Sequence, residues 1–175
     1  TLLAHATCDV RFHVVTPDVL SVQLPVGVSA TIHKLPPTPK QRNLLRLDGH
    51  PSTMARYFLP QYLSPGVGRA IYIDTDTLID ADISELFQIN MNGNIVALYR
   101  QDSTLKWWNN NTSIVGIPDS QRLFNAGVFV ADIQKWKKNN WTKRLLDLSA
   151  SSELSSNDDQ LVINVLGVRD KAMLP

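Results

Sequence analysis

The sequence predicts an α/β fold with a mostly parallel sheet flanked by helices, and three observations carry that expectation. Ala70-Ile71-Tyr72-Ile73, Ile95-Val96-Ala97-Leu98-Tyr99 and Ala126-Gly127-Val128-Phe129-Val130 are unbroken apolar runs, the signature of strands buried on both faces. Other segments keep helical apolar spacing, as at Trp141, Leu145 and Leu148 and again at Leu161, Val162, Val165 and Leu166. The two kinds of segment alternate along the chain, which is the pattern of a sheet layered with helices.

Taken in order, Thr1 to Cys8 reads as the tail of a helix, and Arg11 to Thr16 as a β-branched and aromatic strand closed by a turn at Thr16-Pro17-Asp18. Ser29 to Leu35 forms a second short strand. Three prolines among Pro36, Pro37 and Pro39 then impose a loop, because proline cannot donate to a ladder or continue a helix. Thr53 to Leu59 predicts a short helix that Pro60 ends or kinks. Asp82 and Glu85 stand at the N-cap and N3 positions of a capping box ahead of Leu86-Phe87. Asp132 precedes a helix beginning at Ile133 and Trp136. Ser149 to Asn157 is a polar linker, and Asp158 or Asp159 caps the last helix.

A chain of 175 residues with 43% hydrophobic content is long enough to bury its own core, and length favours one domain. A formal charge of +1 gives no basic footprint for nucleic acid. The single cysteine, Cys8, cannot form an intrachain disulfide, and no Cys/His cluster has zinc-ligand spacing. Asn-x-Ser/Thr tripeptides at Asn110, Asn111 and Asn140 would accept glycans in a secretory lumen. His5, His13, His33 and His50 show no partner pattern and read as structural or exposed.

Four places carry chemistry. Asp74-Thr75-Asp76 sits at the carboxyl end of a buried strand, where open α/β sheets bind ligands. In an extended segment residues i and i+2 face one side, roughly 6–7 Å apart, so two carboxylates there can converge on a hard cation. Phe124-Asn125-Ala126-Gly127-Val128 sets an amide and two small residues before a buried strand, where backbone can approach a ligand closely. Asp159-Gln160 lies at a helix start, and capping accounts for one of the two adjacent aspartates but not for Gln160. Arg56 stands on the short helix before Tyr57-Phe58. Trp107 and Trp108 read equally as a sugar-stacking platform or as a loop anchor.

Ala55-Arg56-Tyr57-Phe58-Leu59-Pro60, Asp74-Thr75-Asp76, Phe124-Asn125-Ala126-Gly127-Val128 and Asp159-Gln160, in that order and at these intervals, resemble glycosyltransferase family 8, in particular the eukaryotic glycosyltransferase 8 domain-containing proteins. The resemblance covers nearly the whole chain. It implies a GT-A type nucleotide-diphospho-sugar transferase fold and a retaining transfer of a sugar from a UDP-sugar to a glycan or protein acceptor. It also implies Mn²⁺ held by Asp74 and Asp76, with Arg56, Asp74, Thr75, Asp76, Asp102, Asn125, Ala126 and Gly127 on the donor. Asp159 and Gln160 match positions facing the donor's reacting sugar, and the resemblance does not choose between front-face displacement and a covalent intermediate.

The same resemblance implies that residues 1–175 are a partial catalytic domain. The family's opening strand would precede Thr1, and its His-x-x-Gly-x-x-Lys-Pro-Trp segment, which supplies a third metal ligand, would follow Pro175. The expectation is weak metal binding and little activity for this stretch alone, within a parent protein anchored in the Golgi or endoplasmic reticulum. Two other readings compete. An apolar strand entering Asp-x-Asp also resembles the nucleophile motif of haloacid-dehalogenase-type phosphatases. A nucleotide-sugar-binding module without catalysis is the second. Phe124 to Val128 has no place in the first, and intact Asp74, Asp76, Asn125 and Gln160 argue against the second.

Overall fold

The computed structural model describes residues 2–16, 26, 28–35, 51–154, 158–170 and 172–174. Helix α1 (Leu2–His5) leads into β1 (Phe12–Thr16), which pairs in parallel with β2 (Ala30–Lys34) as a two-stranded sheet. The turn expected at Pro17-Asp18, the proline loop, His50 and Asn157 lie outside the described residues.

A 3₁₀ helix over Pro51–Phe58 runs directly into α2 (Leu59–Tyr62). The expected stop at Pro60 does not occur there. Proline falls in the first turn of α2, where its missing N–H has no intrahelical partner to lose. The turn of 3₁₀ helix buries Met54, Tyr57 and Phe58 and leaves Arg56 only 7% exposed.

Next come β3 (Arg69–Ile73), α3 (Ile83–Phe87), β4 (Val96–Thr104), α4 (Leu105–Trp108) and β5 (Arg122–Asp132). Helices α5 (Ile133–Lys138), α6 (Trp141–Ala150) and α7 (Asp159–Asp170) follow, and β6 (Met173–Leu174) closes the sheet. Strand order is β3-β5-β4-β6. Strands β3, β4 and β6 share one direction, whereas β5 runs against both of its neighbours. The direction of a strand buried on both faces leaves no mark on its composition, so the reversal of β5 appears only in the pairing.

Side-chain alternation explains the unbroken apolar runs. Val96, Leu98, Phe129 and Ala131 enter the main core with Trp136, Trp141, Leu145, Leu161 and Val165, and Ala70 and Tyr72 pack against it. Ala97 and Val130 point the other way, into a smaller cluster with Met91 and the partly buried Ile71, Leu86 and Ile89. Apolar side chains thus pack on both faces of the strands, although β3 is only partly buried and Tyr99 is exposed.

Caps follow the sequence closely. Asp132 accepts from Lys135 N–H at 2.9 Å to start α5. Asp82 caps α3, but through Ser84 N–H at 3.0 Å rather than through Glu85 as a full capping box requires. His5 and His13 are exposed, as expected, but His13 and His33 are partners. Parallel pairing of β1 and β2 brings His13 Nδ1 within 2.9 Å of His33 Nε2, a contact between residues twenty apart that spacing does not announce.

Candidate active site

The site forms where β3 stops. Ile73 is opposite Val128, and one further backbone bond runs from Asp74 N–H to the Gly127 carbonyl at 2.7 Å. The chain then turns, with Thr77 N–H donating to the Asp74 carbonyl at 3.2 Å. A turn thus replaces the extended geometry expected for Asp74-Thr75-Asp76. Asp74 is half-buried, while Thr75 and Asp76 are exposed.

Gly127 is required by this approach. A Cβ there would sit 2.9 Å from Asp74 Oδ2 and 3.1 Å from Asn125 Oδ1. Asn125 Oδ1 instead accepts from the Gly127 N–H at 2.8 Å.

Arg56 organises the carboxylates. Its Nη2 donates to Asp74 Oδ1 at 3.0 Å and Oδ2 at 3.3 Å, and its Nη1 donates to the Ala126 carbonyl at 2.6 Å. Tyr72 Oη donates to Asp74 Oδ1 at 2.7 Å, and the guanidinium lies 4.8 Å from the Tyr72 ring centroid. Arg56 Nε is 2.8 Å from Asp159 Oδ2. That contact is an ion pair without hydrogen-bond alignment, because the Nε–H donates to the Thr53 carbonyl at 3.2 Å. Asp159 Oδ2 is accordingly buried with no hydrogen-bond donor among the described residues.

Capping of α7 divides the two aspartates. Asp158 Oδ1 accepts from Leu161 N–H at 3.0 Å, which leaves the Asp159 carboxyl to face Arg56. Burial raises the Asp159 pKa to about 6; Arg56 opposes the rise, and Asp158 and Asp74 add to it. Burial also lifts the hydroxyl pKa of Tyr57 and Tyr72 well above the usual phenol value, so both remain donors. For Arg56, burial opposes the charge, yet Asp159, Tyr72 and Asp74 outweigh it and raise the pKa.

An open cavity of about 290 Å³ brings together Arg56, Asp74, Asn125, Gly127, Asp159 and Gln160. Gln160 Oε1 accepts from Ala126 N–H at 3.0 Å, and its Nε2 donates to Gln101 Oε1 at 3.4 Å. Ala126 is fully buried and contributes only backbone. Asp102, expected at the donor, is exposed and lies outside the cavity; Gln101 lines it instead, because neighbouring residues of a strand face opposite sides. Trp108 also lines the cavity, whereas Trp107 is 61% exposed. Trp108 also packs against the main core, so it anchors that turn together with buried Leu105 and Asn109. A second cavity of about 290 Å³, at Lys135, Asn139, Arg144 and Asp170, shares none of these residues. Its arginine is already neutralised by Asp170 through two 2.6 Å bonds.

For a cation, Asp74 and Asp76 offer hard oxygen donors; the bare backbone at Gly127 leaves room for Asp74 Oδ2, which Arg56 Nη2 also meets at 3.3 Å. Among the described residues no group of three or more His, Cys, Asp or Glu side chains converges on a metal position.

Two carboxylates, an arginine and two amides surround an open cavity at the strand ends of an α/β protein, the place where such folds bind small molecules. Residues 36–167 match Glycosyl transferase family 8, and the chain belongs to that family. It is 26% identical to Glycosyltransferase 8 domain-containing protein 1 of Danio rerio, over 89% of this chain and 52% of the relative. It is 25% identical to Probable galacturonosyltransferase-like 4 of Arabidopsis thaliana, over 83% of this chain and 47% of the relative. The chain thus spans about half the length of these curated relatives. Among solved structures, the galactosyltransferase LgtC in complex with donor and acceptor sugar analogues superposes with a TM-score of 0.72 at 18% identity, covering 96% of this chain and 63% of that one. Mouse xyloside xylosyltransferase 1 gives a TM-score of 0.61 at 16% identity, over 99% and 75% of the two chains. The fold is of the GT-A type.

Proposed function

We propose that the full-length protein carrying this chain is a retaining glycosyltransferase that moves a sugar from a UDP-sugar to a glycan or protein acceptor. The observation that carries the reading is Arg56, which joins Asp74 at 3.0 Å and Asp159 at 2.8 Å across one cavity with Asn125 and Gln160. Family membership over residues 36–167 supports it.

Asp74 and Asp76 would hold Mn²⁺ through their hard carboxylate oxygens. When bound, such a cation acts as a Lewis acid and neutralises charge on the departing diphosphate. Arg56 and Tyr72 fix the orientation of the Asp74 carboxylate. Gly127 admits the donor to the backbone, with Thr75 and Ala126 beside it, and the Asn125 and Gln160 amides orient the sugar hydroxyls. Asp159 contributes negative potential where positive charge develops on the sugar ring. In the transfer, the bond from the anomeric carbon to the diphosphate oxygen breaks with its electron pair on the diphosphate. The acceptor hydroxyl forms the new bond, and its proton passes to the released diphosphate, directly or through water. Asp102, exposed beside the cavity-lining Gln101, would meet a donor that extends beyond the cavity.

A phosphatase using Asp74 as nucleophile is disfavoured by its bonds, since Oδ1 accepts from both Arg56 and Tyr72 and Oδ2 from Arg56. The exposed Asn110, Asn111 and Asn140 and the animal and plant relatives support a Golgi or endoplasmic-reticulum lumenal location, with a membrane anchor in the parent. Hydrolysis of a panel of UDP-sugars by the full-length protein with Mn²⁺, beside the Asp76→Asn variant, tests the reading. Turnover of one donor, lost in the variant, is expected; no turnover of any donor would overturn it.

A further inference from the structure

Side chains, not a strand, close the edge of β5 beyond β3. Phe124 and Ala126 are two apart, so in an extended strand their N–H and C=O groups face one side. All four groups are met by side chains. Asn164 Oδ1 accepts from Phe124 N–H at 2.6 Å, and Asn164 Nδ2 donates to the Phe124 carbonyl at 2.8 Å. Gln160 accepts from Ala126 N–H at 3.0 Å, and Arg56 donates to the Ala126 carbonyl at 2.6 Å. The planar amide of Asn164 thus presents the donor and acceptor pair that a peptide unit of a neighbouring strand would present.

Asn164 is fully buried and lies one turn after Gln160 on α7, whose carbonyl also accepts from Asn164 Nδ2 at 2.8 Å. One side chain therefore ties the first turn of α7 to the residue before Asn125. Apolar packing alone would not call for an amide here, because a leucine would fill similar space and leave two backbone groups of Phe124 unpaired.

We infer that Asn164 is a positioning residue: it sets the spacing of α7 and β5, and through it the placement of Gln160 and Asn125 in the cavity. This rests on the transferase reading above. The side chain touches no ligand; it acts through the two amides that do.

The test is steady-state UDP-sugar turnover by the full-length protein with Mn²⁺, for wild type, Asn164→Ala and Val165→Ala. Val165 is fully buried on the same helix and lines no part of the cavity, so its variant controls for lost packing. Rates are taken per folded molecule, well below both melting temperatures. Displacing reacting groups by about 1 Å costs on the order of 100-fold, so kcat should fall at least ~10-fold in Asn164→Ala, with donor KM within about 3-fold. Val165→Ala should stay near wild type. Equal kcat in the two variants would overturn the inference and leave Asn164 a packing residue.

If Asn164→Ala does not fold, Asn164→Asp decides. A neutral carboxyl keeps one donor and one acceptor for Phe124, and an ionised one keeps no donor. Its activity relative to wild type should therefore fall as pH rises, and a profile parallel to wild type would overturn the inference. A wild type that turns over no donor sinks the transferase reading itself, and this inference with it; an active wild type with an unchanged variant sinks the inference alone.

Discussion

Arg56 Nε stands 2.8 Å from Asp159 Oδ2 while donating its hydrogen to the Thr53 carbonyl, so the two residues attract each other through charge and not through a shared hydrogen bond. The rest of the guanidinium serves Asp74 and the Ala126 carbonyl. One cation thereby links the 3₁₀ helix, the turn after β3, the edge of β5 and the start of α7.

Replacing Arg56 takes the facing positive charge from two carboxylates and the side-chain donor from the buried Ala126 carbonyl. Loss of one partner from a buried pair costs about 3–5 kcal/mol. Arg56→Ala should fall at the low end, about 3 kcal/mol, because the Asp74 side chain retains 30% exposure and Asp159 can take up a proton. Arg56→Lys should recover little, since a single ammonium cannot span sites that need a planar fork. Urea unfolding at pH 7 measures both; a loss below about 1 kcal/mol in Arg56→Ala would contradict the account.

Gly127→Ala tests the close approach. Its Cβ would meet Asp74 Oδ2 at 2.9 Å, and that oxygen cannot retreat freely while Arg56 and Tyr72 hold the carboxylate. Crowding of this kind costs about 1–3 kcal/mol. The same variant should abolish Mn²⁺-dependent donor turnover, because the displaced carboxylate is a proposed metal ligand. Wild-type stability together with wild-type turnover would show that the approach is not needed.

Asp74 and Asp76 should separate when each is changed to Asn. Asp76 is exposed, so Asp76→Asn should alter stability by no more than about 0.5 kcal/mol while removing Mn²⁺-dependent UDP binding. Asp74→Asn should lose binding and also stability, since it removes the charge that Arg56 faces. Calorimetric titration of UDP with and without Mn²⁺, beside thermal melts, distinguishes the two. Retained metal-dependent binding in Asp76→Asn would remove Asp76 from the site.

Much of this was legible in the residues. The apolar strands, the caps at Asp82 and Asp132 and the stripe of Trp141, Leu145 and Leu148 follow from local chemistry that needs no distant partner. Arg56, Asp74, Asn125, Gly127, Asp159 and Gln160 stand out in the sequence, and they meet in one cavity. What stayed hidden depends on contacts between residues far apart in the chain. The reversal of β5, the 2.9 Å contact of His13 with His33 and the choice of Gln101 over Asp102 are set by pairing and register. Asn164, in the middle of an apolar helix, was the one readable sign of the β5 edge: a buried amide there demands partners.

The carboxyl of Asp159 makes stability depend on pH in a stated direction. Burial is the largest influence, and it raises the pKa from 3.8 to about 6 against the opposing pull of Arg56. The folded chain therefore holds this proton more tightly than the unfolded chain does. Between pH 4 and pH 6 the native state binds more protons, so the Asp159 contribution to stability falls as pH rises, by up to about 3 kcal/mol in all. Asp159→Asn cannot titrate and lacks this decline. Unfolding in urea at pH 4, 5, 6 and 7, without divalent cation, should show the variant gaining on wild type across that window, with the difference levelling off above pH 7. Parallel stability curves would mean that Arg56 offsets burial and holds the carboxylate ionised, in which case Asp159 meets the sugar as a full anion at every pH in the range.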